Sequence, residues 1–264
     1  MRHDYETISH ERVGDHVMLL YLDRPQRANA MNTQMGLDLR ELFMDLYVDQ
    51  EDLRCIVVTG RGEKIFCAGG DLKDRNGMTD AQWQHQHAIF EQMVRHMREC
   101  PIPIIGAING AAFGGGCEFA LSCDFLYAAE HARFALTEIT LGIMPGACGT
   151  INLPHAVGER RAREIIYTGQ PFSAADAEAW GLVNRVCPAE ELLPQTLETA
   201  ARIARNAPIS VRQAKRSTGI ATQIDRSSAY QFELEAYNRM VPTEDRLEGV
   251  RAFNEKRTPV FKGR

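Results

Sequence analysis

Two glycine-rich segments and two glutamates could carry out chemistry together. The glycines lie in residues 66–72 (FCAGGDL) and 109–118 (NGAAFGGGCE), and the carboxyl groups belong to Glu118 and Glu138. Glycine lets a backbone approach a ligand closely, and the first N–H groups of a helix have no intrahelical acceptor. Such main-chain donors suit a developing oxyanion, and neighbouring carboxyl groups can move protons. The pattern predicts acid–base chemistry beside a backbone anion site.

The spacing of each carboxylate supports this interpretation but leaves a structural alternative open. Glu118 follows Gly115 by three residues, so a helix would place both on one face. Glu138 lies between a predicted strand at 134–136 and the turn 141–146 (LGIMPG), where functional groups are often displayed. Glu118 could instead only favour a helix N-terminus, Glu138 could form a surface ion pair, and the glycines could serve tight turns.

Other catalytic signatures are absent from the sequence. It contains no G-x-x-x-x-G-K-[ST] phosphate loop, no G-x-G-x-x-G opening a helix and no G-x-S-x-G nucleophile turn. His10 and His16 lack the spacing of a zinc helix, and His85 and His87 point to different helical faces. We therefore expect neither a metal site nor a redox cofactor.

The elements that must position these groups alternate between strand and helix. Apolar runs typical of buried strands occur at 17–22, 55–59, 104–108, 125–129 and 134–136. Apolar residues at helical spacing occur from Met35 to Leu46 and from Phe90 to Met97. This alternation predicts an α/β protein. After Pro188 only helical segments follow, at 189–206, 209–218, 225–241 and 243–256. We expect an α/β core at 1–190 and a helical oligomerisation region at 191–264.

Composition excludes several classes of protein. The chain has 264 residues, of which 44% are hydrophobic and 25% charged, so it is not intrinsically disordered. Its formal net charge of −5 provides no global positive field for nucleic acid. An odd number of cysteines, 7, favours a reducing compartment. No apolar stretch approaches the ~20 residues that cross a bilayer. These features predict a soluble, cytoplasmic protein that does not bind membranes.

Taken together, the motifs resemble the enoyl-CoA hydratase/isomerase (crotonase) superfamily along nearly the whole chain. The resemblance lies in Arg24-Pro25, in Asn29-Ala30-Met31, in FCAGGDL and NGAAFGGGCEFA, and in FNEKR at 253–257. These motifs occur in the order and at the spacing of that family. The resemblance implies an α/β, crotonase-like spiral of strand–strand–helix (ββα) units with a C-terminal all-helical extension.

The resemblance also implies catalytic roles. The N–H groups of Gly70 and Gly115 would form an oxyanion hole for a thioester carbonyl, and Glu118 and Glu138 match the two catalytic glutamates of hydratases. The implied reaction is reversible syn addition of water to a 2-enoyl-CoA thioester, giving a 3-hydroxyacyl-CoA. Coenzyme A is then part of the substrate and no separate cofactor is expected. The family assembles as homotrimers or dimers of trimers.

Contacts to coenzyme A carry over by position from the same resemblance. They fall on the turn after the first predicted strand, on the first glycine segment, and on the C-terminal helix. In the family the C-terminal residues often reach the coenzyme across a subunit boundary. The matching positions are Arg24, Ala28, Ala30, Ala68, Asp71, Leu72, Phe253 and Lys256.

Three other functions fit parts of the sequence. A double-bond isomerase would need one glutamate to shuttle a proton between C2 and C4. A methylglutaconyl-CoA hydratase is suggested by the tail 241–264 and by AGGDLKDR, which resemble that branch. RNA binding is known in the same branch, but Lys64, Lys73 and Arg75 alternate here with acidic residues, which argues against it.

One departure from the family pattern lies near the expected site. Where many relatives have Pro-Gly-Ala-Gly-Gly-Thr, this chain has Cys148 in place of the first glycine of the Gly-Gly pair. The thiol could narrow the acyl pocket or simply fill space. Trp83, Met93 and Met97 could line an acyl tunnel, although such a stripe is more often core.

Overall fold

Short strands and helices alternate along the computed structural model, which describes residues 4–264. Among these residues the β-strands are Ile8–Val13 (β1), Val17–Leu22 (β2), Cys55–Gly60 (β3), Ile65–Cys67 (β4), Ile104–Ile108 (β5), Ala111–Phe113 (β6), Phe125–Ala129 (β7), Arg133–Ala135 (β8), Phe172–Ser173 (β9) and Arg185–Cys187 (β10). The α-helices are Thr33–Val48 (α1), Leu72–Arg75 (α2), Asp80–Glu99 (α3), Gly115–Ala120 (α4), Gly149–Val157 (α5), Glu159–Thr168 (α6), Ala174–Ala179 (α7), Ala189–Ala204 (α8), Pro208–Ala221 (α9), Arg226–Asn238 (α10) and Glu244–Asn254 (α11). Short 3-10 turns form at Pro25–Arg27 and Glu138–Leu141.

The strands form two sheets. The larger sheet has the order β1-β2-β3-β5-β7-β10, and every pair in it is parallel except β1 with β2. The smaller sheet has the order β4-β6-β8-β9, and only β9 runs antiparallel to its neighbour. Parallel neighbours need crossover connections, and here helices supply most of them.

The chain moves between the sheets in repeated turns. Each turn places one strand in the larger sheet and the next in the smaller sheet, then returns through helix: β3-β4-α2-α3, β5-β6-α4 and β7-β8-α5-α6. This arrangement is the strand–strand–helix spiral expected from the sequence. The expected all-helical C-terminal region is also present, as α8 to α11.

Buried apolar runs and helix caps explain the main elements. All six residues of β3 are buried, as expected for a central strand covered on both faces. Asn32 caps α1, because its side chain accepts a hydrogen bond from the N–H of Met35. Thr79 and Gln82 form a capping box at the start of α3.

The predicted strands and helices are confirmed, but five strands were not expected. β1 lies at the antiparallel edge of the larger sheet and has a single buried residue, Ile8. Most of its other residues are polar, so the sequence shows no apolar run there. β4, β6, β9 and β10 have only two or three residues each, too few for a period-2 pattern. Three of these short strands belong to the smaller sheet, so that sheet was not foreseen.

The first of the C-terminal helices covers the larger sheet. Leu192, Ala200 and Ala204 of α8 pack in a second apolar cluster with β-strand residues such as Val57 and Tyr127. Thr243 caps α11 by accepting a hydrogen bond from the N–H of Arg246. A domain boundary at residue 190 stays a prediction. Within residues 4–264, no helix has both the length and the apolar character needed to cross a bilayer.

A fully buried asparagine secures the turn between β2 and α1. The Oδ1 atom of Asn29 accepts from the N–H of Arg24 at 3.0 Å. Its Nδ2 donates to the carbonyl oxygens of Arg61 and Ile65, both at 3.0 Å. These bonds join the turn to Arg61, which follows β3, and to Ile65, the first residue of β4. Removing the amide would leave three partly buried backbone groups without this partner.

We expect Asn29→Ala to lower the free energy of unfolding by about 2–4 kcal/mol, because each of the three partly buried backbone groups would lose its partner and carry a desolvation cost. Chemical denaturation followed by circular dichroism measures this effect. The matched control is Asn254→Ala on the exposed surface of α11, which should change the free energy of unfolding by less than about 0.5 kcal/mol. Equal losses in the two variants would contradict the assigned role of Asn29.

Candidate active site

The carboxyl ends of three neighbouring parallel strands in the smaller sheet converge on one place. β4 ends at Cys67 shortly before Gly70, β6 ends at Phe113 shortly before Gly115, and β8 ends at Ala135 shortly before Glu138. Parallel strands present their carboxyl ends at the same edge of a sheet, where ligands commonly bind. The smaller sheet therefore brings together residues that are about 70 positions apart in sequence.

The second glycine segment does not turn directly after β5. The short strand β6 lies between β5 and the three consecutive glycines. β6 pairs with β4 and β8, which carries the following turn to the edge of the smaller sheet. α4 then packs closely on β4, because a Cβ on Gly116 would lie only 2.2 Å from the carbonyl oxygen of Cys67. Close approach therefore requires glycine there.

The amides of Gly70 and Gly115 lie near each other. A Cβ built on Gly115 would be 3.8 Å from the nitrogen of Gly70. Gly69 has φ of +94°, and a Cβ on it would be 3.3 Å from the nitrogen of Gly115. Neither of the two N–H groups has a hydrogen-bond acceptor within the described residues. The loops thus hold two unpaired main-chain donors close together, the arrangement that an oxyanion hole needs.

Glu118 is buried on α4, three residues after Gly115, as its spacing predicted. Its side chain is 3% exposed, and its Oε1 accepts from the N–H groups of Ala147 at 2.7 Å and Gly149 at 2.8 Å. Burial raises the pKa of Glu118, while these main-chain hydrogen bonds act in the opposite direction by favouring the carboxylate. Glu118 is thus neither a surface residue nor only a helix-terminus charge.

Glu138 opens the 3-10 turn that follows β8, and it is also buried, with 8% of its surface exposed. Its Oε2 has no hydrogen-bond partner among the described residues. Burial raises the pKa of Glu138 to about 7, and the negative charge of Glu118 adds to the increase. The positive charge of Arg75 opposes it. The surface ion-pair explanation for Glu138 is therefore wrong, because its side chain is withdrawn from solvent.

One cavity of about 670 Å³ brings these groups together. Gly70, Gly115, Glu118 and Glu138 all line it. Its remaining walls are mostly apolar and come from α3 and from the segment after β8, including Trp83, Phe90, Met93, Leu141, Ile143 and Met144. Of the residues considered for an acyl tunnel, Trp83 and Met93 line the cavity, whereas Met97 lies in the core.

Most of the residues matched to coenzyme A contacts lie beside this cavity. Ala68 and Leu72 line it, and the N–H of Ala68 donates to the carbonyl oxygen of Ala28 at 3.1 Å. Arg24 forms an ion pair with Asp71 at 3.1 Å and also donates to the carbonyl oxygen of Ala30. Arg24, Ala28, Ala30 and Asp71 thus form a linked turn behind the first glycine segment.

Phe253 and Lys256 lie apart from this group. Phe253 is near the end of α11 and is 84% exposed, and Lys256 follows that helix with φ of +53°. Neither residue lines the cavity within this single chain. Their matching to coenzyme contacts stays a prediction.

Cys148 supports the turn that holds Glu118. It has φ of +73° and is the N-cap of α5, between the two residues whose N–H groups bind Glu118. A left-handed conformation costs roughly 1–2 kcal/mol for a residue with a Cβ, which explains the glycine of many relatives. Its thiol lies 3.7 Å from Arg98 and faces a second cavity. The idea that Cys148 narrows the acyl pocket is wrong.

Sequence reasoning missed two polar side chains in the cavity. Arg75 lies against Trp83, with Cζ 4.3 Å from the ring centroid, and His87 packs against Gly146, where a Cβ would be 2.7 Å from its Cε1. In the sequence, Arg75 belongs with Lys64 and Lys73 to a set of cations that alternate with acidic residues. No sequence signal distinguishes it from them. Among residues 4–264, no cluster of three or more His, Cys, Asp or Glu side chains could hold a metal ion.

The fold and the site define an α/β spiral protein with two main-chain donors and two buried carboxyl groups in one cavity. Residues 12–264 match the family model described as enoyl-CoA hydratase/isomerase. The chain belongs to the enoyl-CoA hydratase/isomerase family.

Individual relatives support this assignment. The chain is 35% identical to the crotonyl-CoA hydratase of Syntrophomonas wolfei, over 97% of this chain and 98% of the relative. It is 38% identical to the mitochondrial enoyl-CoA hydratase of Pongo abelii, over 98% of this chain and 89% of the relative. A crystal structure of enoyl-CoA hydratase from Bacillus anthracis, 42% identical, has a TM-score of 0.96 and covers 98% of this chain and 100% of that one. These comparisons confirm the expected family and fold class.

The burial of Glu138 predicts a pH-dependent stability difference. Its folded pKa of about 7 lies above the ordinary value of 4.5, so its contribution to stability is present at low pH and is lost as pH rises through 7. Glu138→Gln removes this titration. We therefore expect the melting temperature of Glu138→Gln, relative to the unsubstituted protein, to rise between pH 5.5 and 8.5.

Differential scanning fluorimetry across this pH range measures the trend. Glu130→Gln, on an exposed turn after β7, is the matched control and should show no such rise. A pH-independent difference for Glu138→Gln would contradict the raised pKa.

Proposed function

We propose that this chain catalyses the reversible syn addition of water to the 2,3 double bond of a 2-enoyl-CoA thioester, giving a 3-hydroxyacyl-CoA. The observation that carries the proposal is the convergence of the Gly70 and Gly115 amides with Glu118 and Glu138 on one cavity. The enzyme class expected from the sequence, enoyl-CoA hydratase, is confirmed by the relatives. The roles of individual residues below are our proposal.

The two amides would stabilise negative charge on the thioester oxygen. As water adds at C3, electrons move toward the carbonyl and this oxygen gains enolate character. The N–H groups of Gly70 and Gly115 are unpaired and held in place before the reaction, so they need not reorganise as the charge develops. Loss of one such donor costs about 3–4 kcal/mol of barrier in comparable sites.

The two glutamates would transfer the protons. Glu118 accepts two main-chain hydrogen bonds that favour its charged form, which suits a base that takes a proton from water. Burial raises the pKa of Glu138 to about 7, which suits an acid that donates a proton to C2 near neutral pH. The water oxygen bonds to C3, so the reaction ends with Glu118 protonated and Glu138 ionised. Solvent exchange restores the starting states.

We also propose how the rest of the substrate and a second copy of the chain are placed. Coenzyme A would lie along Ala68, Leu72 and the turn that contains Arg24. Because coenzyme A is part of the substrate, the reaction would need no separate cofactor. Phe253 and Lys256 would reach the coenzyme of an adjoining copy in a homotrimer or dimer of trimers. Exposed apolar side chains on α10 and α11, such as Tyr237 and Val250, support an assembly through this region. A cytoplasmic location stays a prediction.

The alternative functions receive less support from the geometry. An isomerase needs one proton-transfer carboxylate, whereas two buried carboxylates line this cavity. RNA binding would need a basic surface, and one of the three cations considered for it, Arg75, lies in the cavity instead. Closeness to methylglutaconyl-CoA hydratases stays a prediction.

Glu118→Gln and Glu138→Gln test the proposed roles. Each variant should lower kcat for hydration of crotonyl-CoA by at least about 100-fold, because each removes one proton-transfer group and keeps the side-chain size. Hydration is followed by the loss of absorbance of the conjugated thioester. Glu130→Gln, outside the cavity, is the control and should keep full activity.

A variant that keeps hydration activity would contradict the two-glutamate mechanism. If Glu118→Gln abolished hydration while Glu138→Gln left it intact, one carboxylate would suffice. Absence of turnover by the unsubstituted protein on short, long and branched enoyl-CoA thioesters would contradict the hydratase function itself.

A further inference from the structure

A histidine lies on the wall of the active-site cavity, although the proposed hydration does not use it. His87 belongs to α3 and lines the cavity together with Trp83 and Phe90 of the same helix. These three residues follow one another at intervals of four and three positions, so they share one helical face. His85, two positions before His87, is exposed on a different face. Of these two histidines, His87 is therefore the one that can act on the site.

The turn that holds Glu118 borders open space on two sides. The N–H groups of Ala147 and Gly149 donate to Oε1 of Glu118 at 2.7 and 2.8 Å. Gly146 and Ala147 line the active-site cavity and also a second cavity of about 1360 Å³. A segment between two cavities has few packing contacts of its own to keep its amides in place. Its position therefore depends on the side chains that do touch it.

The imidazole ring of His87 packs directly against this turn. A Cβ built on Gly146 would lie 2.7 Å from Cε1 of His87 and 3.1 Å from Nε2. The first distance is shorter than a carbon–carbon contact allows, so the ring occupies the space that a side chain at position 146 would need. Nε2 also lies 3.4 Å from Oε1 of Glu91, one helical turn further on, and the two form an ion pair when the ring is protonated. The ring is thus held between Glu91 and the backbone of Gly146.

The ring can also bring a positive charge close to Glu118. Burial raises the pKa of Glu118, and the positive charge of His87 acts in the opposite direction. The other charged or titratable groups around the site are Glu91 and Arg98 of α3, Cys117 of α4, Glu138 and Arg75. The charge of Arg75 acts on Glu138, and burial raises the pKa of the Cys117 thiol, which stays neutral. Protonated His87 therefore favours the carboxylate form of Glu118, which a base needs.

Resting on the proposed hydratase function, we propose that His87 is a positioning residue for the base Glu118. Its ring holds the turn 146–149 in place, so that the N–H groups of Ala147 and Gly149 stay directed at one oxygen of Glu118. Its charge favours the ionised form of that carboxyl group before water reacts. His87 transfers no proton itself. Such support matters because an error of about 1 Å in the position of a reacting group can lower the rate about 100-fold.

Two substitutions separate the packing of the ring from its charge. His87→Ala removes both, whereas His87→Phe keeps a ring against Gly146 and removes the charge. With crotonyl-CoA at the pH of maximal rate, His87→Ala should lower kcat by about tenfold or more and change KM by less than about threefold, because it displaces the base and leaves the substrate contacts. The kcat of His87→Phe should exceed that of His87→Ala by at least about fivefold.

The pH profile of kcat/KM measures the effect of the charge. Its acid limb follows the ionisation of the base in the free enzyme. Loss of the positive charge of His87 favours the protonated form of Glu118, so the acid limb should move to higher pH by about 0.5 units or more in both variants. His85→Ala, on the exposed side of the same helix, is the matched control and should leave kcat and the acid limb unchanged.

Three results would each overturn the inference. Equal kcat values for His87→Ala and His87→Phe would show that packing against Gly146 does not position the base. An acid limb that stays in place in both variants would show that the charge does not reach Glu118. A rise in KM with kcat unchanged would mean that His87 contacts the substrate instead.

A thermodynamic cycle provides a readout that does not depend on activity. Melting temperatures of the unsubstituted protein, His87→Phe, Glu118→Gln and the double variant are compared at about pH 6, where a histidine side chain carries charge. His87→Phe should lower the melting temperature more when Glu118 is present than in the Glu118→Gln background, because the two groups are coupled. Additive effects would overturn the inference.

The outcomes also separate this inference from the proposed function. If the unsubstituted protein hydrates crotonyl-CoA and the variants at position 87 behave as it does, only the role of His87 fails. If no thioester is hydrated, the hydratase function fails and the catalytic role of His87 fails with it, whatever the cycle shows. The acid limb of His87→Phe and the cycle decide the matter even if His87→Ala does not fold.

Discussion

Two carboxyl groups are withdrawn from water into one cavity, and the surrounding structure must offset the cost of burying them so close together. Glu118 is stabilised by main-chain N–H groups of Ala147 and Gly149, whereas one oxygen of Glu138 has no partner within the described residues. The two groups are thus placed in different environments: burial raises the pKa of both, but main-chain hydrogen bonds oppose the increase at Glu118, and the pKa of Glu138 rises to about 7. In the proposed reaction, this asymmetry lets one glutamate accept a proton while the other donates one.

The smaller sheet makes this arrangement possible with very few residues. β4, β6 and β8 have three residues each, yet their carboxyl ends deliver Gly70, Gly115 and Glu138 to one edge. The larger sheet and its helices supply most of the buried apolar surface that holds the short strands in register. Cys148 contributes from outside the cavity, because its left-handed backbone turns the neighbouring N–H groups toward Glu118.

Sequence reasoning identified the candidate groups that line the cavity but only some of the elements that position them. The buried runs of β2, β3, β5 and β7 are long enough for their pattern to be read, and helix periodicity located α1 and α3. β4 and β6 are too short to show a period, so the sequence pattern does not reveal that β6 precedes the second glycine turn. Arg75 looked like a surface cation because Lys73 and Asp74 precede it; only the packing of Trp83 and Gln86 shows that it faces inward.

The proposed oxyanion donors belong to the main chain, and this limits how mutation can affect them. Almost every amino acid at positions 70 and 115 would still carry an amide hydrogen, since proline alone lacks one. Whether the two N–H donors are kept during evolution therefore depends on the geometry of their loops rather than on the side chains at these positions. The side chains that line the cavity face no such restriction. Evolution can therefore replace them and adapt the enzyme to new acyl groups while the two main-chain donors are retained.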